Sequence, residues 1–430
     1  MDEKFDAAVV GAGPAGISAA LTMARAGMKV VVLERGEYPG SKNVMGGVIY
    51  RHATEELVPE FWKEAPLERN VIEKRLWLLD DDSAVTAGYR NPVYKDQPNA
   101  FTVLRAKFDR WYADRAQEAG ALVISETVVE DFLYEDGRIV GVRTDREDGD
   151  LRADVVVLAE GVNALLARKA GMRGDIPPQH LAVGVKEVVF LPKERIEDRF
   201  NLEEDEGVSI EIVGAATRGL VGTGFIYTNR DSISIGFGAL LSDIIQAEIS
   251  PNDILEGLKN HPVVKPLIEG GESKEYAAHL IPEGGYRNIP KLVRDGLMVV
   301  GDAAMLVNAI HGEGSNMAAT SGRLAGETAV EAWDAGEFSE EFLSAYRRRL
   351  EKTYVLQDLR KYRNTMSFFE ENPQFFSKYP RLVNEVAYQF VTVDGVPKKK
   401  KQAEILKRIR AEISLAGIGW DLFRAWRVMG

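Results

Sequence analysis

The chain has 430 residues, of which 45% are hydrophobic and 28% charged. This is a globular composition with no room for a mostly disordered or fibrous protein. Sixty-six acidic against 54 basic side chains give a net charge of −12, which argues against nucleic-acid binding. Cysteine is absent, so the chain alone offers no disulfide, no catalytic thiol and no thiolate-ligated iron–sulfur cluster. Five scattered histidines lack zinc-like spacing and predict no metal site. No apolar run reaches the roughly 18 residues that a membrane-spanning helix needs. The opening Met1-Asp2-Glu3-Lys4-Phe5-Asp6 lacks the basic n-region of a secretory signal, so a cytoplasmic location is expected.

In chain order, Ala7–Val10 reads as a buried parallel strand. It runs into Gly11-Ala12-Gly13-Pro14-Ala15-Gly16 and then a helical pattern to about Gly27. A second strand, Lys29–Leu33, ends at Glu34, 23 residues past Gly11. A bare G-x-G-x-x-G is weak evidence, but strand, glycines, helix, strand and acid in this order form a dinucleotide-binding unit. Gly11 is expected to permit the tight turn, Gly13 to let the backbone approach a pyrophosphate at the helix N-terminus, and Gly16 to allow close helix–strand packing. Glu34 is placed to accept hydrogen bonds from ribose hydroxyls. No second such fingerprint follows a strand; Gly222-Thr223-Gly224 and Gly236-Phe237-Gly238 lack the third glycine.

Two later segments point to FAD as the single nucleotide. Leu158-Ala159-Glu160-Gly161, closing a strand from Asp154, resembles the middle motif of flavoproteins that touches the pyrophosphate region. Leu297–Gly301-Asp302 reads as strand, Gly-Asp, then helix, and resembles the segment whose aspartate bonds the ribityl chain. Between them, Arg105 opens a helix to about residue 119 and is a candidate for the pyrophosphate or ribityl region. Val129 follows the strand Leu122–Val128 and is a candidate backbone contact to adenine. Gly312-Glu313-Gly314 opens a helix to about Trp333 with a face of small residues suited to close approach to a sheet or a flat ring. Its amides are candidates to stabilise negative charge at a flavin's pyrimidine edge.

The middle of the chain reads as strands at Lys74–Leu79, Ala182–Phe190, Val208–Val213, Leu220–Tyr227 and Ser232–Ala239, an antiparallel sheet inserted into the nucleotide-binding domain. The expected division is a discontinuous FAD-binding domain over 1–73, 101–180 and 271–338, a substrate domain over 74–100 and 181–270, and a helical region over 339–430. One helix is expected over 339–363. The fold class is therefore α/β, a Rossmann-like FAD domain of the glutathione-reductase-like type with an inserted antiparallel sheet and a helical C-terminus. From Lys398 to Gly430 nine basic residues stand against three acidic ones, so this segment is +6 while the remainder is −18. Tryptophans and aliphatics beside those cations suit either an anionic membrane surface or an acidic partner subunit.

The run Glu34-Arg35-Gly36, with Pro39-Gly40-Ser41-Lys42-Asn43-Val44-Met45-Gly46-Gly47-Val48, resembles the electron-transfer-flavoprotein:quinone oxidoreductase family in its cysteine-free FixC/EtfC branch. Val103–Trp111, Ala182–Glu187, Gly222–Asn229 and Tyr276–Gly285 carry the likeness further, over about residues 4–400. The resemblance implies an FAD-dependent oxidoreductase in a larger complex. Electrons would come from an electron-transfer flavoprotein with alpha and beta subunits and go to a membrane quinone. A ferredoxin-like iron–sulfur subunit would be a further partner, and in an energy-splitting (bifurcating) complex this chain would lie on the higher-potential branch. The location implied is peripheral, at the cytoplasmic side of the membrane. Lys42, Asn43, Val44, Gly46 and Gly47 would then form the loop along one side of the flavin ring, beside Arg35. His52, His279 and His311 are candidate proton donors to a reduced quinone, His311 first because it adjoins the flavin-side turn. Gly312-Glu313-Gly314 departs toward the geranylgeranyl-reductase type, so a prenyl-lipid reductase stays open as an alternative, as does a non-catalytic FAD-bearing scaffold.

Overall fold

The computed structural model describes residues 4–42, 45–412 and 415–429. The chain divides into two compact units. The first comprises Met1–Asn70, Gln97–Ala182 and Ala278–Arg363. Its centre is a sheet in the order Val293–Arg294, Leu297–Val299, Asp150–Leu158, Phe5–Val10, Val30–Leu33 and Leu122–Ile124. The pairings among Leu297–Val299, Asp150–Leu158, Phe5–Val10, Val30–Leu33 and Leu122–Ile124 are parallel. Val9 faces Val157 on one side and Val32 on the other, and all three are fully buried. This explains the unbroken apolar runs: a parallel strand covered on both faces has no side to give to water. Val129–Glu135 and Arg138–Thr144 add an antiparallel excursion onto the start of Asp150–Leu158.

The helix Pro14–Arg25 follows the first strand, and Ser315–Ala335 packs directly on it. A Cβ at Gly322 would lie 1.9 Å from the Ala15 carbonyl oxygen, and one at Gly326 would lie 2.8 Å from Thr22 Cβ. The small face of the long helix thus packs on another helix. The two backbones approach closely because glycine puts no carbon between them. Two expectations need correction. The segment 339–363 is three short helices, Glu340–Leu343, Ala345–Leu350 and Tyr354–Lys361. The strand expected over Leu122–Val128 spans only Leu122–Ile124, and Val129 opens the next one, opposite Thr144.

The second unit comprises Val71–Asp96, Val183–Ala277 and Asn364–Gly430. Glu206–Gly214, Gly222–Thr228 and Ser232–Leu240 form an antiparallel meander in which Ile226 lies opposite Ile210 and Ile235, all three fully buried. Arg69–Leu79 pairs antiparallel with Ala84–Arg90. Four helices close the chain: Thr365–Glu371, Lys378–Val391, Lys398–Glu412 and Leu415–Met429. No helix among the described residues is long and apolar enough to cross a membrane.

Candidate dinucleotide site

The glycine turn lies at the C-terminal edge of the parallel sheet, where the first strand meets its helix. Gly11 has φ +101°, and a Cβ there would sit 2.3 Å from the Ala159 carbonyl oxygen. A Cβ at Gly16 would come within 1.9 Å of Gly11 O. Gly13, in contrast, has nothing within 4 Å of an added Cβ, and its φ of −78° is open to any residue. Two of the three glycines are therefore required by the protein's own packing. The third faces open space directly over the first turn of Pro14–Arg25. No side chain caps that helix, so its first amides and its positive dipole end are available to an anion. Pro14 occupies the first turn, where its missing N–H costs nothing.

Glu34 braces this turn. Its carboxylate accepts from the Ala12 amide at 2.9 Å and the Gly36 amide at 2.7 Å. Each carboxylate oxygen keeps a lone pair for a further donor such as a sugar hydroxyl. Arg35 beside it is exposed. Glu160 accepts from the amides of Leu166 and Ala167 at 2.9 and 2.7 Å, so its carboxylate holds the start of the helix Leu165–Lys169. Gly161 next to it has φ +77° and open space around its Cβ position.

On the other side of the turn, Gly301 has φ +61° and donates its N–H to Ser321 Oγ at 3.0 Å. Burial pushes the Asp302 carboxyl up to about 6, while the nearby Arg105 charge pulls it down. Arg105 itself is enclosed, with its side chain 3% exposed. Its Nε and Nη2 donate to Asp109 at 2.8 and 2.7 Å. Its Nη1 donates to the Met45 carbonyl at 2.9 Å and Ser315 Oγ at 3.4 Å. Arg105 thus ties the loop after the second strand to the N-terminus of Ser315–Ala335. Burial raises the Asp109 carboxyl, against the pull of Arg105. Arg173, which the sequence did not single out, donates to the Ala303 carbonyl at 3.1 Å and holds the Gly-Asp turn from behind.

Of the flavin-side loop, Lys42 and Gly46 are exposed and Gly47 is buried, while Asn43 and Val44 lie outside the described residues. Gly312-Glu313-Gly314 leads into Ser315–Ala335, whose N-terminus also lacks a side-chain cap. Asn308 and Glu313 bond each other's backbones at 2.8 and 3.0 Å. At this turn Asn308 Nδ2 and Asn316 Oδ1 are buried without partners among the described residues. Buried amide atoms are rarely left unmatched, and a ligand carrying both an acceptor and an N–H donor supplies what they lack. A cavity of about 370 Å³ opens here, lined by Tyr50, Arg51, His52, Glu313, Asn316 and Tyr354.

The histidines are separate. His311 is exposed, and its Nε2 shares a hydrogen bond with Tyr362 OH at 2.9 Å. His52, 70% exposed, lies 3.7 Å from Glu56. Burial, reinforced by the charges of Arg35 and Arg105, lowers the His279 pKa, so this ring is neutral at pH 7. Glu283, four residues on, has an oxygen buried without a partner among the described residues, and burial raises its carboxyl to about 8.

An open turn at an uncapped helix N-terminus, an acid at the end of the next strand and two unmatched amide atoms at a second helix N-terminus suit a dinucleotide with a polar ring system, and FAD fits them. Comparison with known proteins identifies the cofactor. Sequence models described as FAD dependent oxidoreductase match residues 6–181 and 96–328, and that of the ETF-QO/FixC family C-terminal domain matches 365–430. The protein FixC of Bradyrhizobium diazoefficiens is 50% identical over 434 residues, covering 99% of this chain and 100% of that one. A probable electron transfer flavoprotein-quinone oxidoreductase of Escherichia coli K12, YdiS, is 42% identical over 412 residues, covering 94% of each. Among solved structures, a geranylgeranyl bacteriochlorophyll reductase-like protein from Thermoplasma acidophilum covers 95% of this chain and 96% of its own, with TM-score 0.73 at 20% identity. That likeness is one of fold. FAD is the cofactor, and the chain belongs to the ETF-QO/FixC family of FAD-dependent oxidoreductases.

Proposed function

We propose that this chain accepts electrons from an electron-transfer flavoprotein and passes them to a quinone dissolved in the membrane. A ferredoxin-like iron–sulfur protein and the two flavoprotein subunits would be its partners in a bifurcating complex. The observation that carries the reading is the pairing of one dinucleotide cradle with full-length likeness to FixC proteins and to a relative named for the flavoprotein–quinone reaction. A single fingerprint in the sequence gives a nicotinamide no evident seat, which favours a protein as the source of reducing equivalents.

Bound in the first unit, FAD supplies one- and two-electron chemistry. The chain's own groups supply the rest. Gly13 and the uncapped helix Pro14–Arg25 receive the pyrophosphate, Glu34 the ribose, and Asp302 the ribityl hydroxyls. Asn308 and Asn316 would match polar atoms of the ring, and the Gly314 amide would stabilise negative charge at its edge, whereas the Gly312 N–H already donates to the Ala309 carbonyl at 3.4 Å. Arg105 is a positioning residue that holds Met45 to the N-terminus of Ser315–Ala335. Quinone reduction consumes two protons, and the His311–Tyr362 pair offers an exposed group to exchange them with solvent. The test is turnover. Reduced electron-transfer flavoprotein plus this chain should reduce a soluble quinone analogue, and omission of either protein should abolish it.

A further inference from the structure

Enclosed carboxylates around the candidate site are matched with donors. Glu34 accepts from two amides, Asp109 from the Arg105 guanidinium and Glu160 from two further amides. Glu283 departs from this pattern. It directly follows the strand Glu272–Pro282, and its Oε2 is enclosed without a hydrogen-bond partner among the described residues. An oxygen left in this way costs folding free energy that no contact recovers. The backbone on both sides of the carboxyl is pinned. The Glu283 N–H donates to the His180 carbonyl at 2.8 Å. Asn288 donates through Nδ2 to the Gly284 carbonyl at 2.6 Å and through its backbone N–H to the Gly285 carbonyl at 3.1 Å.

Burial raises this carboxyl to about 8, so it carries a proton at pH 7. The titratable groups around it are His180, whose pKa burial lowers, His279 on its own strand and Arg287 on the turn that follows. The helix Tyr354–Lys361, packed on the turn Tyr286–Asn288, adds Asp358, Arg360 and Lys361. None of these charges contributes to the shift, of which burial is the whole cause. The residue as a whole is only half-buried, so water lies within reach of a group whose oxygen is enclosed. Its place is set by His279, four residues earlier. Burial lowers the pKa of that ring, and the charges of Arg35 and Arg105 lower it further. Arg105 also acts on Asp302. Coulombic influence falls with distance, so the end of this strand and the Gly-Asp turn share one charged neighbourhood, that of the candidate cofactor site.

We propose that Glu283 stores a proton for the redox site and gives it to the electron acceptor as reduced FAD is reoxidised. The inference rests on the quinone reading, because a quinone takes up protons with its electrons. Reduced FAD loses two electrons and one proton to the quinone. The Glu283 O–H bond breaks, the second O–H bond of the quinol forms, and the carboxylate left behind is reloaded from water. An acid that is neutral at pH 7 yet weakly held is suited to donate at every turnover. An enclosed oxygen with no partner is free to make the bond that donation requires.

The test uses the full-length FAD-loaded protein and a soluble quinone analogue. Infrared spectra of the oxidised wild type show the carbonyl stretch of a neutral carboxyl that fades as pH rises through about 8, and Glu283→Gln lacks it. In anaerobic stopped flow, FAD reduced with dithionite is reoxidised by the quinone at least tenfold more slowly in Glu283→Gln than in wild type at pH 7, although the variant keeps its FAD. Wild type slows about tenfold per pH unit once the stored proton is lost, whereas the variant shows no such slope. Glu283→Asp, which keeps an acid on a shorter stem, recovers part of the rate. The inference is overturned, and the quinone reading stands, if quinone reoxidises Glu283→Gln as fast as wild type with the same pH profile. It is also overturned if the infrared band survives the substitution. A wild type whose reduced FAD the quinone never reoxidises would remove the electron-acceptor reading, and the inference with it.

Discussion

Replacing Asp109 with asparagine tests whether the arginine that ties Met45 to Ser315 is held by a buried ion pair. Arg105 and Asp109 are 3% and 1% exposed and share two short hydrogen bonds. Asp109→Asn keeps the shape but leaves the guanidinium charge uncompensated inside the protein, a loss of about 3–5 kcal/mol from a total of about 5–15 kcal/mol. Arg105→Met poses a different problem. The stranded Asp109 carboxyl, which burial already raises, takes a proton. A folded-state pKa above the unfolded one means the folded state binds the excess proton, so the cost is small in acid and grows as pH rises through that pKa. Arg105→Met with Asp109→Leu removes both charges and recovers most of the stability. All variants lacking Arg105 lose the tie between Met45 and Ser315 and hold FAD more weakly. Urea unfolding followed by circular dichroism, with FAD content from absorbance, measures each point. The reasoning fails if Asp109→Asn lies within about 1 kcal/mol of wild type, or if the double variant costs the sum of the singles.

Gly13→Ala places a methyl in space the protein leaves empty. Its folding stability stays unchanged while FAD affinity falls by a factor of ten or more, about 1.4 kcal/mol or greater; Gly16→Ala, whose Cβ meets Gly11 O, damages both. Equal FAD retention in Gly13→Ala would remove the pyrophosphate from this turn. Glu283→Gln relieves a carboxyl that burial raises to about 8 from 4.5. Wild type loses stability as pH climbs between those values and the glutamine variant does not, so their melting temperatures diverge across that window and then stay apart. The difference is at most about 5 kcal/mol, and parallel melting curves would contradict it. Asn316→Ala deletes a buried oxygen without a partner. It leaves the FAD-free protein as stable or slightly more so and weakens FAD binding, as isothermal titration would read; unaltered affinity would place the ring elsewhere.

The parallel sheet and glycine turn were legible because their signals are local. An unbroken apolar run and three glycines at fixed spacing state their geometry within sixteen residues. Two later motifs, Leu158–Gly161 and Leu297–Asp302, extended that reading to FAD. What escaped depended on partners distant in sequence. Arg173 reaches Ala303 across 130 positions, and nothing near either residue announces the bond. The small face of Ser315–Ala335 was visible, but its partner helix, some three hundred residues earlier, was not. Arg105 and Asp109 stand four apart at the start of a helix, a spacing that puts them on one face. The pair could have been found, and would have shown the arginine already engaged. The run Lys398–Lys401 reads as four free charges, and only tertiary structure reveals that Lys398 and Lys401 cap the helix Lys378–Val391.

The most direct measurement mixes the FAD-loaded chain anaerobically with reduced electron-transfer flavoprotein and follows the flavin absorbance. Rapid bleaching, recovery of colour when quinone is added, and indifference to NADH in the absence of the flavoprotein are the predicted results. An FAD that NADH alone reduces efficiently, or that the reduced flavoprotein leaves oxidised, would contradict the account.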